Sequence, residues 1–260
     1  RDLHSFPTRR SSDLLKKISE LKGNFLIRLL YIHPDYFNSD ILDIIKSDSR
    51  FAHYFDIPFQ SGDDEIILAM NRCGSSSSYE SLVSSIREKL PDAVLRTTFL
   101  SGFPGENKEN AKKTYEFLEK IKPDWSGTFS YSREDDTPAY FMKHRVSAKV
   151  AQKRVLALQS LQQKITEEKL QCYVGKEFDV LLEEDFGEGL VLGRSWFQSP
   201  DVDGNIVVRY DAEDENQKNA ILPGNIVRVK IIARTGVDLD SIFLSLVKKN
   251  KNNYSRKFVF

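Results

Sequence analysis

Three short stretches set polar and glycine residues where an apolar run ends, the place from which side chains reach a ligand. "YIHP" ends in His33 and Pro34, "DIPFQSGDD" carries Gln60, Ser61 and Gly62, and "LSGFPGE" runs from Leu100 to Glu106. In the third, Gly102 and Gly105 bracket Phe103 and Pro104. Glycine admits left-handed backbone and lets main chain approach a ligand closely. The helix that follows offers free N–H groups at its start, where Glu106 also suits the helix dipole. Each stretch alone has a plain structural use as a tight turn, a turn histidine or a glutamine satisfying strand-end amides. Arg96 stands inside the apolar run "AVLRTTFLSG" and needs an anionic partner. That partner is a cofactor or substrate carboxylate, or a helix glutamate. Tyr131 and Arg133 follow the next apolar run, and either face a substrate or pack.

The elements that hold these residues fall into two halves. From Phe25 to Ser130, short apolar runs alternate with helical patterns: strands at "FLIRLLYI", "YFDIPF", "AVLRTTFLSG" and "WSGTFSYS", helices at "DILDIIKS", "DDEIILAMNR", "YESLVSSIREKL" and "NKENAKKTYEFLEKI". Such alternation predicts a parallel sheet with helices packed outside it. Right-handed crossovers put all the strand ends on one rim, where ligands of such sheets bind. From Ser147 to about Cys172 one long helix is predicted, with Val155, Leu158, Leu161 and Ile165 as its apolar stripe. From Glu177 onward the period switches to two. Five runs, "EFDVLLEE", "GLVLGRSW", "GNIVVRY", "NIVRVKIIA" and "SIFLSLV", predict a small antiparallel barrel of the oligonucleotide-binding type.

Composition narrows the class. No apolar run reaches membrane-spanning length, so no membrane partner is expected. The two cysteines, Cys73 and Cys172, form no disulfide framework, and a reducing cytoplasm is the expected compartment. They also lack the spacing of a metal site, so no metal ligand and no catalytic residue is assigned.

Taken together, "RLLYIHP", "DIPFQSGDDEIILAMNR", "LRTTFLSGFPGE" and "FSYSREDDTPA" stand in an order that resembles the radical S-adenosylmethionine methylthiotransferases. The resemblance covers almost everything after Leu14. It implies an α/β fold: the C-terminal part of a radical SAM partial (β/α) barrel at 15–145, a connecting helix at 146–174, a five-stranded antiparallel TRAM β-barrel, OB-like, at 175–248, and a tail at 249–260. It implies S-adenosylmethionine and two [4Fe–4S] clusters as cofactors of the full-length enzyme. One cluster is held by a three-cysteine loop, cleaves the cofactor to a radical, and leaves one iron open for it. None of those cysteines is among these residues, so the chain alone is expected to be inactive. By the same resemblance Gly102, Phe103, Pro104, Gly105 and Glu106 line the cofactor pocket, with Gln60, Ser61 and Arg96 as further contacts.

The family divides by substrate, an adenosine of transfer RNA or an aspartate of ribosomal protein S12. "GRSWFQSPDVDGNIVV" resembles the ribosomal-protein branch, and implies Arg194, Asp201 and Asp203 as substrate-binding residues. Charge points the same way. Between Lys176 and Val247 stand fourteen Asp and Glu against seven Lys and Arg. An RNA-binding barrel is expected to be basic, because phosphate neutralisation dominates affinity. An acidic one attracts a basic protein. Transfer RNA is therefore the less expected partner. A nucleic-acid-binding TRAM module without catalysis and a radical enzyme without sulfur insertion are the other classes considered.

The first fourteen residues stand apart. "RDLHSFPTRRSSDL" shows no helical or strand period, and back-translates as the end of a sequencing-library adapter. It is set aside from the fold as adapter-derived, and expected to pack against nothing.

Overall fold

The computed structural model describes residues 8–23 and 25–247. The chain divides into two units, one of residues 1–20, 29–44 and 55–165, the other of 21–28, 45–54 and 166–260. The 249–260 tail lies outside the described residues.

A four-stranded sheet is ordered β1 (Ile27–Leu29), β2 (Phe51–Asp56), β3 (Val94–Ser101), β4 (Trp125–Ser130). β3 and β4 run parallel, with Arg96 opposite Trp125 and Ser101 opposite Ser130. Between the strands lie α2 (Asp40–Ser47), α3 (Asp64–Ala69), α4 (Ser76–Lys89) and α5 (Lys108–Ile121), the alternation expected. β2 sits three residues earlier than its apolar run predicted. Pro58 has no N–H to give a ladder, so the regular strand ends at Asp56. The parallel pairing nevertheless continues: Ile57 N–H donates to the Arg96 carbonyl, and Gln60 N–H to that of Thr98. Beneath β3 the core is aromatic, with Phe59 5.0 Å from Tyr79 and 5.5 Å edge-on to Phe117 between ring centroids.

α1 (Thr8–Glu20) begins inside the segment that shows no period, and Ser12 is buried. The expectation that residues before Leu15 pack against nothing is not met at Ser12. Adding residues to an existing helix costs far less than starting one, so a helix anchored by buried Leu15 extends back over a sequence with no pattern of its own. Residues 1–7 lie outside the described residues.

α6 (Ala148–Gln171) is the long helix, and its predicted stripe, Val155, Leu158, Leu161 and Ile165, is buried. After it β5 (Glu177–Gly187), β6 (Leu190–Arg194), β7 (Ile206–Arg209), β8 (Ile226–Thr235) and β9 (Asp238–Leu246) close a barrel in the order β5-β6-β7-β9-β8. Val227, Val229 and Ile231 are fully buried inside it, as the alternation in β8 predicts. Four seams are antiparallel; the fifth, β7 with β9, is parallel. A closed ring of five strands cannot alternate direction throughout, so one seam must be parallel. The connection between β7 and β8 contains α7 (Glu215–Ala220), six residues whose pattern is too short to announce a helix. Among the described residues no helix is long and apolar enough to cross a membrane.

Candidate functional site

The glycine turn leaves β3 at Ser101 and enters α5 through Asn107, whose side chain caps the helix. Gly102 and Gly105 have φ of +86° and +90°, backbone that glycine adopts without strain. They serve different ends. A Cβ on Gly102 would meet the Ala151 Cβ at 2.5 Å, whereas one on Gly105 would meet nothing within 4 Å. Gly102 therefore lets α6 pack close, and Gly105 is the position that faces open space. Phe103 is buried, with its ring 5.3 Å from Tyr131, edge to face.

Glu106 turns inward. Its carboxylate accepts from the Gly102 N–H at 2.9 Å and the Ser101 hydroxyl at 3.2 Å, and pairs with Arg154 Nη1 at 2.6 Å. Its side chain is 6% exposed. The carboxylate braces the turn and ties it to α6 instead of standing ready for a ligand. Nothing in the sequence marks Arg154 as its partner, 48 residues on.

Ser61 is likewise structural. Buried, its hydroxyl lies 3.1 Å from Thr114 Oγ1 and accepts from the Asp63 N–H. Gln60 is half-buried with φ +70° and joins β3 through a bridge to Phe99. His33 accepts from the Asp35 N–H at 3.3 Å, capping the turn at Pro34–Tyr36. Arg96 is half-buried at mid-strand, and an acid that feels its charge is Asp56 on β2. Burial still dominates at Asp56 and holds its carboxyl above the ordinary carboxylate range, against the Tyr31 N–H bond and the Arg96 charge.

The rim does gather several predicted residues. A cavity of about 370 Å³ is lined by Gly102, Pro104, Tyr131 and Arg133, with Arg145 and Gln152 added from outside the motifs. The segment that brings Arg145 is held by the Gly105 N–H, which donates to the His144 carbonyl at 2.9 Å. The cavity lies at the C-terminal ends of β3 and β4, where ligands of such sheets bind.

In the second unit, Arg194 pairs with Glu183 at 2.8 Å. Asp203 accepts from the Tyr54 hydroxyl at 2.6 Å and the Ser199 N–H at 2.7 Å. Arg28 donates to the carbonyls of Trp196 and Gln198, at 3.0 and 2.7 Å, and lies over the Tyr54 ring. The 195–205 loop is thereby fixed, and Asp203 is one of its internal ties. Asp201, exposed at φ +66°, points out. The barrel's other arginines are also matched to acids: Arg209 to Asp240, Arg228 to Asp179, Arg234 to Glu167. Its surplus acids, among them Glu184, Asp185, Glu188, Asp211, Glu213 and Glu215, are exposed.

No group of three or more His, Cys, Asp or Glu that could hold a metal occurs among the described residues, and both cysteines are exposed.

Residues 174–241 match the TRAM domain family. Along its length the chain is similar to proteins named ribosomal protein uS12 methylthiotransferase RimO. Identity is 48% over 241 residues for that of Treponema denticola, covering 88% of this chain and 52% of the relative. It is 41% over 197 residues for that of Thermotoga maritima, covering 76% and 46%. For that of Lachnoclostridium phytofermentans it is 33% over 228 residues, covering 87% and 50%. The chain thus spans about half the length of the curated relatives it matches. By these matches the chain is similar over most of its length to the ribosomal protein uS12 methylthiotransferases, and over residues 174–241 to the TRAM domain family.

Proposed function

We propose that the protein containing this chain adds a methylthio group to an aspartate of ribosomal protein S12, in the cytoplasm, with the barrel as the surface that docks S12. The charge of the barrel carries this reading. Its acids outnumber its bases two to one, and each of its four arginines is paired with a carboxylate. What remains is an acidic exterior that repels a phosphate backbone and draws in a basic protein. Of the three residues expected to bind substrate, Asp201 is the one whose exposure supports that reading. Asp203 and Arg194 act by shaping the surface.

S-adenosylmethionine, when bound, supplies the hydrogen-abstracting radical. The residues present suit its approach on one side: Gly105 faces open space at a positive φ. Gln60, bridged to Phe99 beyond the end of β2, and Arg96 on β3 are its proposed polar contacts. Two [4Fe–4S] clusters do not fit the residues of this chain, whose two cysteines lie about a hundred positions apart without cluster spacing. The 260 residues by themselves are expected not to cleave the cofactor. The test is anaerobic reconstitution with iron and sulfide: the chain should gain no cluster absorbance, while the full-length protein gains it and modifies S12.

A further inference from the structure

The rim cavity holds a hydroxyl that the protein leaves unsatisfied. Tyr131 Oη is buried and has no hydrogen-bond partner. Leaving a buried hydroxyl unpaired costs stability, so the group needs an explanation. Two arginines line the same cavity and no carboxylate does. Arg133 is committed, its Nε donating to the Tyr140 carbonyl at 3.2 Å and its guanidinium lying over the Tyr140 ring. Arg145 is exposed, with no hydrogen bond or ion pair among the described residues. Three amides of the turn are not free to take part. Gly102 N–H goes to Glu106, Gly105 N–H to the His144 carbonyl, and Glu106 N–H to the Phe103 carbonyl. A phosphate site would use such amides. One guanidinium and one hydroxyl, with apolar walls from Pro104, Val146 and Ala151, suit a carboxylate on a short apolar stem.

We infer that this cavity receives the carboxylate of a substrate side chain, with Arg145 as its cation and Tyr131 as its hydroxyl donor. The choice of aspartate as that side chain rests on the proposed function; the preference for an anion does not. At about 370 Å³ the recess has room for the neighbours of that residue, as an exposed loop would present them.

The experiment uses the 260-residue chain. N-acetyl-aspartate amide is titrated while the Tyr131 ring resonances are followed, with N-acetyl-asparagine amide as the neutral counterpart. The aspartate probe is expected to bind about tenfold more tightly, as loss of a charge-assisted pair implies. Arg145→Gln and Tyr131→Phe should each weaken it about three- to tenfold. Tyr131→Phe should also leave the melting temperature unchanged or raised, since it removes an unpaired buried hydroxyl and keeps the ring against Phe103. Equal binding of both probes, or binding indifferent to both variants, overturns the inference. So does a fall in melting temperature for Tyr131→Phe, which would show the hydroxyl bonded within the protein. Displacement of the aspartate probe by S-adenosylhomocysteine would assign the recess to the cofactor and overturn it too. If the probe binds as described while the full-length protein leaves S12 unmodified, the recess stands and only the proposed function falls.

Discussion

Tyr54 and Asp203, 149 positions apart, are joined by a 2.6 Å hydrogen bond from phenol to carboxylate. The same oxygen of Asp203 accepts from the Ser199 N–H. One carboxylate therefore holds both ends of a turn and a tyrosine from far upstream. Two aspartates in "SPDVDG" that look equivalent in sequence do different work: Asp203 builds the loop, and Asp201 is exposed on it.

Asp203→Ala should then destabilise the protein by about 2–3 kcal/mol, because it strands a buried hydroxyl and an amide. Asp201→Lys should change stability by no more than about 0.5 kcal/mol while slowing association with S12. Urea denaturation and stopped-flow binding separate the two. Equal losses of stability would contradict the division of labour.

The Glu106–Arg154 pair links the glycine turn to α6. Arg154→Met leaves a nearly buried carboxylate without its cation, at a cost of about 3–5 kcal/mol. Changing both, Glu106→Gln with Arg154→Met, should recover part of that loss. A double change that costs the sum of the single ones would show the two residues to be uncoupled.

The two glycines of the turn give a paired test. Gly102→Ala must push Ala151 aside from 2.5 Å and should cost more than the strain of its φ alone. Gly105→Ala carries only that strain, about 1–3 kcal/mol. Gly105→Val in the full-length protein should weaken S-adenosylmethionine binding and leave the barrel's stability unchanged, as calorimetry would read. Unchanged cofactor affinity would move the pocket away from Gly105.

The alternation of strands and helices, the stripe of α6 and the inward face of β8 were legible because each repeats a period that burial enforces over many residues. So was the position of the rim, which follows from strand direction. The roles of single residues were not. Glu106 and Arg154, Tyr54 and Asp203, and Ser61 and Thr114 meet only through tertiary packing, and a carboxylate that braces a turn reads in sequence like one that awaits a ligand. Arg145 lay outside every motif, and no pattern announces that the 141–147 segment folds back onto the turn. The parallel β7–β9 seam was accessible from strand number alone, once closure is assumed.

Asp56 predicts a pH dependence. Its folded-state carboxyl lies above the ordinary range because burial opposes ionisation. The folded protein therefore holds this proton to higher pH than the unfolded chain does. The resulting penalty is absent below the unfolded value, grows as pH rises through the window between the two values, and is complete above the folded-state value. Asp56→Asn, which can still accept from the Tyr31 N–H, should be more stable than the parent at pH 7. That advantage should shrink as pH falls through the carboxylate range. An advantage independent of pH would argue that Asp56 is charged in both states.

The proposed role of the acidic barrel is to dock a basic protein and not a nucleic acid. Its most direct measurement is the association of this chain with purified S12 and, separately, with transfer RNA, followed against ionic strength. Binding to S12 is expected, with an on-rate that falls as salt screens the attraction, several-fold between about 50 and 200 mM, and no appreciable transfer RNA binding at about 150 mM. Tight transfer RNA binding at that salt, with S12 ignored, would contradict it.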